Sequence, residues 1–527
     1  MNNAASKLAS VWSGKYAYLL SFIAIIFLGV FLRASFFSGL VFEDSITIAR
    51  NSWELYSENA LPGEFSQFET DFRLLPNEQN LIVLVTGILY QILGVTDFSS
   101  VIFPVVSSLV VGILLFSLGK RWIGKSAGIL AMFFWFVLPI GVFLSTTLIS
   151  ALPMIALNTL AVSTYFTANE RKSNFLNVVS GALFLAGLIF DWTYFLGSAG
   201  FVLYHLSNKL PSKAKQVLGF ALIAGATIFM LIPLHGSSAA SLYYLVSLVF
   251  ENLILFPLLI IGLVYAGSVK KGDRPGLILM WLAAKSMFLI LGARWISETP
   301  DLKIIGMSGY WLDVLVPGVL LLGWVFVNRL NKSIIPATLS ILSIAILGIF
   351  YAIQSVDSSL ATLFTVSRIF FGLSLLFIAV LLAVWNRAER VRFSVFILFL
   401  ASFLLGSLTI TNDYWRSYRY TTDDTQAVLQ AFADEGKFSL NVMGDDLFSR
   451  FSYTNGFEQV ATQFGETKLE VLHLERVDAP AVPAGMYVVL TADYKKFILG
   501  SEPENWSLKS EFRNSDQQSL LLYKVNP

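Results

Sequence analysis

The sequence contains no cysteine and only three histidines among its 527 residues. A disulfide framework, thiol catalysis and a Cys/His zinc site are therefore excluded, and any bound metal would need carboxylate ligands. Charged residues are also scarce, at 13% of the chain against roughly 25% in soluble domains. Together with 56% apolar residues, this composition excludes a soluble globular enzyme.

The few charges are unevenly distributed along the chain. Residues 411–527 carry 17 acidic and 11 basic side chains, a net charge of −6, which leaves residues 1–410 with 18 acidic and 25 basic ones, a net charge of +7. The chain thus has a basic, apolar part over 1–410 and a mildly acidic, polar tail over 411–527. Nothing in this pattern indicates nucleic-acid binding.

Long apolar runs dominate residues 1–410. A membrane-spanning helix needs roughly 20 apolar residues. We therefore predict an all-α polytopic membrane protein with about 13 transmembrane helices. The predicted spans are 16–37, 100–118, 127–145, 150–167, 175–191, 194–206, 217–234, 248–268, 276–292, 312–328, 335–352, 367–386 and 393–410.

The apolar run Leu81–Leu93 decides the orientation of the later spans. It would reach only about 20 Å as a helix, and its apolar side chains form one stripe, which predicts an amphipathic helix lying on the membrane. With this helix flat, 18 basic but only three acidic residues fall into the loops on the amino-terminal side. By the positive-inside rule that side is cytoplasmic and the tail is extracytoplasmic.

The tail is predicted to fold as a small extracytoplasmic α/β domain over 411–527. Thr425–Glu435 has helical spacing, and three short stretches rich in β-branched or aliphatic residues are separated by glycine and proline. The predicted strands are 438–443, 486–491 and 519–525.

The first outer loop, residues 38–99, is long and holds two predicted juxtamembrane helices; such loops are often functional. Glu43 and Asp44 lie side by side where it begins. Adjacent carboxylates can act as a general base or hold a cation through oxygen ligands. The alternative is that Asp44 or Ser45 only caps the helix that follows.

Two cations also have alternative interpretations. Arg73 can bind a phosphate through its guanidinium fork, or it can pair with Asp71 or Glu69 in the same loop. Lys285 lies deep inside a predicted span, where a charge costs roughly 2.5–3.5 kcal/mol. One interpretation is that Lys285 has a functional role. The other is that it only pairs with a carboxylate or extends to the membrane surface.

Several short motifs follow one another over residues 16 to about 320. They are a first span that ends in Arg33, the sequence Phe42-Glu43-Asp44-Ser45 followed by Ala49-Arg50-Asn51, a flat helix that closes with Leu93-Gly94, the turn Gly119-Lys120-Arg121-Trp122-Ile123-Gly124, and a span that ends near Pro139. This layout resembles the GT-C glycosyltransferases, in particular the bacterial branch that includes aminoarabinose transferase and the protein O-mannosyltransferases.

The resemblance implies where a reaction centre would lie. Family members use the acidic pair of this loop, so Asp44 is expected to be the catalytic base, with Glu43 supporting it. Many members carry a second acid in the loop between the third and fourth spans. Residues 146–153 contain none, and Asp191 is the nearest candidate for that role; alternatively it caps a helix end.

The resemblance also implies a site for the donor phosphate. Members often carry an Arg-Tyr pair before a proline at the start of a later span. Here Tyr310 precedes Pro317 without the arginine, so Arg294 is expected to supply the missing charge and to bind the phosphate together with Arg73.

The function implied is that of an integral-membrane, inverting glycosyltransferase in the cytoplasmic (inner) membrane of a bacterium. It would move a hexose or pentose from a polyprenyl-phosphate donor to an extracytoplasmic acceptor, which is a lipid, a polysaccharide or a protein. No cofactor is expected to be obligatory, no metal site is assigned, and the use of Mg²⁺ or Mn²⁺ is left open. The alternatives are a transporter or lipid-linked-sugar flippase, with Lys285 and Asp191 lining its pathway, and an inactive scaffold.

Overall fold

The computed structural model comprises a helical bundle and a small sheet. It describes residues 15–40, 45, 48–49, 51–53, 78–207, 276–286, 308–328, 389–418, 425, 428–429, 439–443, 447, 451, 470–474, 482–491, 495, 503–513 and 519–526. The helices are α1 (Lys15–Ser35), α2 (Glu78–Leu93), α3 (Asp97–Trp122), α4 (Lys125–Val137), α5 (Pro139–Ser145), α6 (Ala151–Arg171), α7 (Asn174–Ser207), α8 (Gly276–Ser286), α9 (Ser308–Asn328) and α10 (Glu389–Tyr418). The strands are β1 (Ser439–Met443), β2 (Glu470–Leu474), β3 (Tyr487–Thr491), β4 (Trp506–Arg513) and β5 (Ser519–Val525).

Four of the predicted spans correspond to long apolar helices. Within the described residues α1, α3 and α6 are each long and apolar enough to cross a membrane, and α4 with α5 forms a fourth such segment that bends by 63°. They match the predicted spans 16–37, 100–118, 150–167 and 127–145. The total of thirteen spans stays a prediction, because several predicted spans fall outside the described residues.

The single helical segment α7 covers two predicted spans, 175–191 and 194–206. It is nevertheless folded back on itself. The rings of Phe184 and Phe195 lie 6.2 Å apart, although eleven residues of a straight helix would separate them by about 16 Å. The chain therefore reverses within α7, between two arms that occupy the predicted spans.

Contacts with α6 show the same reversal. The first arm of α7 starts three residues after α6 ends, and so runs back along it. In the second arm, the Tyr194 carbonyl accepts a hydrogen bond from Asn158 Nδ2 (2.9 Å), and His205 Nδ1 lies 2.8 Å from the Tyr165 hydroxyl. The residue numbers of the contacting partners increase together, from Asn158 to Tyr165 in α6 and from Tyr194 to His205 in α7. The second arm therefore runs in the same direction as α6.

Helix α2 is the predicted flat helix of the first outer loop. Its 16 residues give a length of about 24 Å, which is shorter than the ~30 Å hydrocarbon core. Ile88 and Ile92 on the apolar stripe are exposed, whereas Thr86 and Tyr90, which lie off the stripe, are buried. The Tyr90 hydroxyl lies 2.7 Å from Ser100 Oγ of α3. The carboxyl-terminal half of the stripe is thus left free for lipid, whereas Ile82 in its first half is buried.

A buried arginine joins α1 to α3 and α4. Arg33, near the end of α1, is 2% exposed. Its Nη2 donates to Ser108 Oγ (2.7 Å), and its Nη1 donates to the carbonyls of Gly29 (2.9 Å) and Phe136 (3.4 Å). The guanidinium carbon lies 5.3 Å from the centre of the Phe136 ring. Within the part of the chain that the structure describes, the charge is therefore stabilised by dipoles and an aromatic face, and no carboxylate pairs with it.

The bend between α4 and α5 explains why Arg33 finds a free carbonyl there. Helix α4 ends at Val137, and α5 begins at Pro139 after a bend of 63°, so carbonyls at the end of α4 lose helical partners. Arg33 donates to one of them, the carbonyl of Phe136. Beside it, Trp135 Nε1 donates to the Ser108 carbonyl at 3.0 Å. These bonds fix the direction in which α5 leaves the bend.

The two ends of the bundle differ in character. We use "loop end" for the end at which α1, α5 and α10 finish and α6 begins. At the opposite end, Arg121 pairs with Glu170 (3.4 Å) and Lys125 lies 5.7 Å from the Tyr18 ring. These two cations gather at one end, as the predicted loop charges require; which side of the membrane that end faces stays a prediction.

The tail contains a five-stranded mixed sheet in the order β2-β1-β3-β5-β4. Strands β2, β1 and β3 are parallel, and β5 pairs antiparallel with both β3 and β4. The predicted strands at 438–443, 486–491 and 519–525 correspond to β1, β3 and β5. Strands β2 and β4 were not predicted, and most of the predicted helix Thr425–Glu435 lies outside the described residues.

The sheet shares a hydrophobic core with the outer loops. One continuous cluster of buried apolar side chains contains residues of the loops and α2 together with residues of the tail. Its members include Leu40, Ile48, Ala49, Ile82, Val83, Leu148, Leu440, Val442, Tyr487, Val489, Leu520 and Leu522. At the end of α10, Trp415 Nε1 donates to the Phe37 carbonyl at 2.7 Å. The tail is therefore packed onto the loop end of the bundle.

We predict that Ser108→Ala lowers the stability of the protein. The substitution removes the shortest hydrogen bond to a buried guanidinium, a contact worth about 1.5–3 kcal/mol. The measurement is the apparent melting temperature in detergent, with Ser107→Ala as the matched control. Ser107 is also buried on α3, and within the described residues its side chain has no hydrogen-bond partner. Equal melting temperatures for the two variants would contradict this role of Arg33.

Candidate active site at the loop end

Four of the six predicted site residues, Glu43, Asp44, Arg73 and Arg294, lie outside the described residues. The backbone positions of Asp191 and Tyr310 are described, in α7 and α9, but their side chains are not. The site can therefore be built from the described segments that flank these residues.

The first and second outer loops are joined by their backbones just before the acidic pair. The Gly39 N–H donates to the Thr146 carbonyl at 2.9 Å, and Gly39 forms a parallel β-bridge with Thr147. Thr146 Oγ1 donates to the Phe36 carbonyl (2.9 Å) and contacts Ser38 Oγ (3.1 Å). Gly39 has a φ of 78°, a conformation that favours glycine. Glu43 follows this junction by four residues.

The described part of the first loop excludes one of the two residues, Asp44 and Ser45, that could cap the helix. Ser45 is helical and buried, and its Oγ makes no hydrogen bond with the described chain. An N-cap residue instead has non-helical backbone angles and accepts a bond from an N–H of the first turn. Ser45 is therefore not the cap, and the capping alternative now rests on Asp44.

The second outer loop, residues 146–150, offers hydroxyl groups where many GT-C members have an acid. The hydroxyls of Thr146 and Thr147 are both buried and donate to backbone carbonyls, Thr147 to that of Phe143 at 3.0 Å. They lock the loop in place and are not free ligands. Among the described residues, no three histidine, aspartate or glutamate side chains come together as a metal site.

The reversal of α7 places Asp191 at a definite point of the bundle. Asp191 lies between the two arms and three residues before Tyr194, whose carbonyl accepts the bond from Asn158 of α6. Helix α6 begins at the loop end, seven residues before Asn158. The backbone of Asp191 is thus at the loop-end side of this contact, and its role stays a prediction.

A buried polar cluster lies below this point, between α6, α7, α8 and α9. Lys285 of α8 forms an ion pair with Asp313 of α9, and their side chains are only 2% and 8% exposed. Asn158 Nδ2 donates to Asp313 Oδ1 (3.3 Å) as well as to the Tyr194 carbonyl (2.9 Å). The pairing alternative for Lys285 is therefore confirmed. We call Lys285, Asp313 and Asn158 the buried cluster.

Sequence reasoning missed two members of this cluster. Asp313 lies within an apolar helix, and a charge in such a position signals a partner or a function, so it could have been matched with Lys285. Asn158 gives a weaker signal, because an amide in a span is common. The 27 residues that separate Lys285 from Asp313 concealed that the two helices pack against each other.

Comparison with known proteins gives a fold rather than a close relative. No family model and no curated protein matches the sequence. Solved structures do match, and the chain has a GT-C-like fold. In particular, its fold is similar to that of ArnT from Cupriavidus metallidurans. The structure of that protein bound to undecaprenyl phosphate matches with a TM-score of 0.58 at 14% identity, covering 97% of this chain and 98% of that one.

Two further structures complete this comparison. The apo state of the same ArnT matches with a TM-score of 0.56 at 14% identity, over 98% of both chains. An oligosaccharyltransferase from Archaeoglobus fulgidus, at 12% identity and covering 87% of this chain and 56% of that one, has a TM-score of 0.29, which is too low to carry an argument. The match to ArnT over 97% of the chain confirms the GT-C-like fold expected from the resemblance, while the number of spans stays a prediction.

We predict that the double variant Ser38→Cys/Thr146→Cys forms a disulfide bond between the two outer loops. The hydroxyl oxygens of these residues lie 3.1 Å apart, so two thiols in their place need only a small shift to reach bonding geometry. The chain contains no other cysteine. Mild oxidation should therefore protect both thiols from a maleimide reagent after denaturation, until a reductant is added.

The control for this cross-link is Ser38→Cys/Ser126→Cys. The Ser126 hydroxyl lies 3.2 Å from that of Tyr18, and Tyr18 is about 26 Å along α1 from Ser35. This pair should stay fully reactive toward maleimide under the same oxidation. If both cysteine pairs react with maleimide to the same extent after oxidation, the two outer loops are not joined as described.

Proposed function

We propose that this chain is an integral-membrane, inverting glycosyltransferase that takes a sugar from a polyprenyl-phosphate carrier. The observation that carries the proposal is the fold match, over 97% of the chain, with an ArnT structure bound to undecaprenyl phosphate. The acidic pair Glu43-Asp44, four residues after the junction of the outer loops, supplies the reactive groups. The sugar is a hexose or pentose, and the acceptor is a lipid, a polysaccharide or a protein.

In the proposed reaction Asp44 is the general base. Its carboxylate takes the proton of an acceptor hydroxyl, and the hydroxyl oxygen attacks the anomeric carbon from the face opposite the phosphate. As the new C–O bond forms, the bond from the anomeric carbon to the phosphate oxygen breaks, and the lipid phosphate leaves with the bonding electrons. A single displacement inverts the anomeric configuration. Glu43 and Asp191 support the base and the developing charge on the sugar.

The leaving phosphate needs positive charge and hydrogen-bond donors. Arg73 and Arg294 are the proposed ligands, because a guanidinium binds phosphate through two parallel bonds. Tyr310, at the start of α9, would add a hydroxyl donor. Donors that meet the phosphate as its charge grows lower the barrier to bond cleavage. The carrier's apolar tail would lie between helices that face lipid.

The carboxylates also bear on metal use. Glu43, Asp44 and Asp191 are the oxygen ligands that could hold Mg²⁺ or Mn²⁺ near the reaction centre. The second outer loop carries no acid that would complete a bridging pair. We therefore propose a reaction in which a divalent cation is not obligatory.

The proposed location follows from the loop charges. The cytoplasmic membrane of a bacterium holds the bundle, with the amino terminus in the cytoplasm, and the loop end and the tail face outward. The packing of the tail onto the outer loops suits a tail that lies on the same side as the site. An acceptor would then approach from outside the cell membrane.

A transporter or flippase is the second candidate. The observation in its favour is the pair of charges buried in the bundle, Lys285 and Asp313, since such charges often line a pathway. Here, however, the two charges are bonded to each other and nearly inaccessible. A fold match to a glycosyltransferase structure favours transfer over transport.

We predict that Asp44→Asn abolishes sugar transfer while lipid binding stays near that of the wild type. A base acts in the transition state, so its loss lowers turnover, by about 10²–10⁴-fold for general base catalysis. Asparagine caps a helix nearly as well as aspartate, so a capping role would leave activity intact. The measurement is release of polyprenyl phosphate from candidate lipid-linked sugars by the purified protein.

The matched control is Glu58→Gln, which removes a carboxylate from the same loop without touching the acidic pair. It should transfer sugar at the rate of the wild type. An active Asp44→Asn protein would exclude Asp44 as the base and leave Glu43 or Asp191 for that role. A wild-type protein that moves lipid-linked sugar across the membrane without breaking it would favour the flippase.

A further inference from the structure

The buried cluster joins helices that lie far apart in the sequence. Lys285 is in α8, Asp313 in α9 and Asn158 in α6, and Asn158 also holds the backbone of α7 at Tyr194. A second bond ties α7 to α8, because Trp281 Nε1 donates to Ser198 Oγ at 2.9 Å. Four helices are thus fixed to one another by polar contacts inside an apolar bundle.

The backbones of α7 and α8 meet closely at the cluster. A side chain on Gly197 of α7 would come within 3.0 Å of the Lys285 Cα. A methyl group at this position would require the two helices to move apart by a few tenths of an ångström. One turn earlier on α8, the Trp281 ring stacks on Phe201 of α7, with ring centres 5.9 Å apart and planes 12° from parallel. The Lys285 backbone therefore has little freedom to shift against α7.

Three of these four helices, α7, α8 and α9, contain or closely precede a residue of the proposed site. Asp191 comes three residues before Tyr194, Tyr310 three residues before Asp313, and Arg294 nine residues after Lys285. Three residues correspond to about one helical turn. Three of the six proposed site residues are therefore attached, through short stretches of chain, to the same cluster of three side chains.

Stability alone is a weak reason for such a cluster. A buried ion pair loses the hydration of both charges, and well-packed apolar side chains in its place are often as stable or more so. What a bonded pair provides, and an apolar contact does not, is one fixed arrangement of its partners. The value of the cluster then lies in the geometry that it imposes.

We propose that Lys285, Asp313 and Asn158 are positioning residues that set the relative placement of Asp191, Arg294 and Tyr310 for the donor phosphate; the proposal rests on the proposed function. The three residues do not touch the donor. They act through α7, which contains Asp191, through α9, which contains Tyr310, and through α8, which Arg294 follows by eight residues. A displacement of about 1 Å in such a site can lower its effectiveness by about 10²-fold.

The test compares two variants with different effects on stability. Asp313→Asn leaves Lys285 buried without its counter-charge and should lower the melting temperature. Lys285→Met/Asp313→Leu removes both charges and should restore the melting temperature to about that of the wild type or above. Undecaprenyl phosphate is the binding probe for both variants, and we expect its Kd to rise at least tenfold in each, within the ~10²-fold range for a misplaced site.

Tyr165→Phe is the matched control. Its hydroxyl contacts His205 at 2.8 Å and so joins α6 to the second arm of α7, as Asn158 does, but farther from the loop end. The control should bind undecaprenyl phosphate with the Kd of the wild type. If the apolar double variant regains both stability and wild-type affinity, the cluster is only structural and the proposal is wrong.

A second readout does not depend on any ligand. Spin labels at Ser150→Cys and Ser308→Cys, in a chain without other cysteines, report the distance from the start of α6 to the start of α9. We expect a broader or shifted distance distribution in the double variant but not in Tyr165→Phe. An unchanged distribution contradicts the positioning role. Failure of the wild-type protein to bind undecaprenyl phosphate would contradict the proposed function, while the spin-label distances would still test the cluster.

Discussion

The guanidinium of Arg33 is a full positive charge enclosed by the helical bundle, and the rest of the loop end depends on how the chain accommodates it. The charge is met by the Ser108 hydroxyl, two backbone carbonyls and the face of Phe136. One of those carbonyls is free because α4 ends at the bend. The same group therefore closes α1 against α3 and stabilises the bend from which α5 runs to the outer loops.

Two sets of contacts support the proposed site: an upper layer formed by the outer loops and the tail, and a lower layer formed by the buried cluster. In the upper layer, the Gly39–Thr147 bridge joins the first outer loop to the second, and the apolar core of the tail packs onto the first loop. In the lower layer, the pair Lys285–Asp313 and Asn158 hold four helices together. The acidic pair follows the upper layer, and three other proposed site residues lie within nine residues of a contact in the lower one, so a reactive centre between them would be supported from both sides.

Sequence patterns predicted those features that depend on local composition. The apolar runs for α1, α3 and α6 and the three strands β1, β3 and β5 were found, because length and hydrophobicity suffice for them. Strand β4, Trp506–Arg513, carries Lys509, Glu511 and Arg513, and this polarity hid it. The pairing of Lys285 with Asp313 and the reversal of α7 depend on contacts between distant segments, which no local pattern contains. The resemblance to GT-C enzymes predicted the fold that the structural comparison confirmed.

The central claim is that the loop end binds a polyprenyl phosphate for sugar transfer, and a cryo-EM map of the protein saturated with undecaprenyl phosphate tests it most directly. We expect density for the phosphate at the loop end, within hydrogen-bond distance of Arg73 or Arg294 and beside Asp44, with the lipid tail between the helices. Phosphate density at the opposite end, near Arg121 and Lys125, or a map without lipid at saturation, would contradict it.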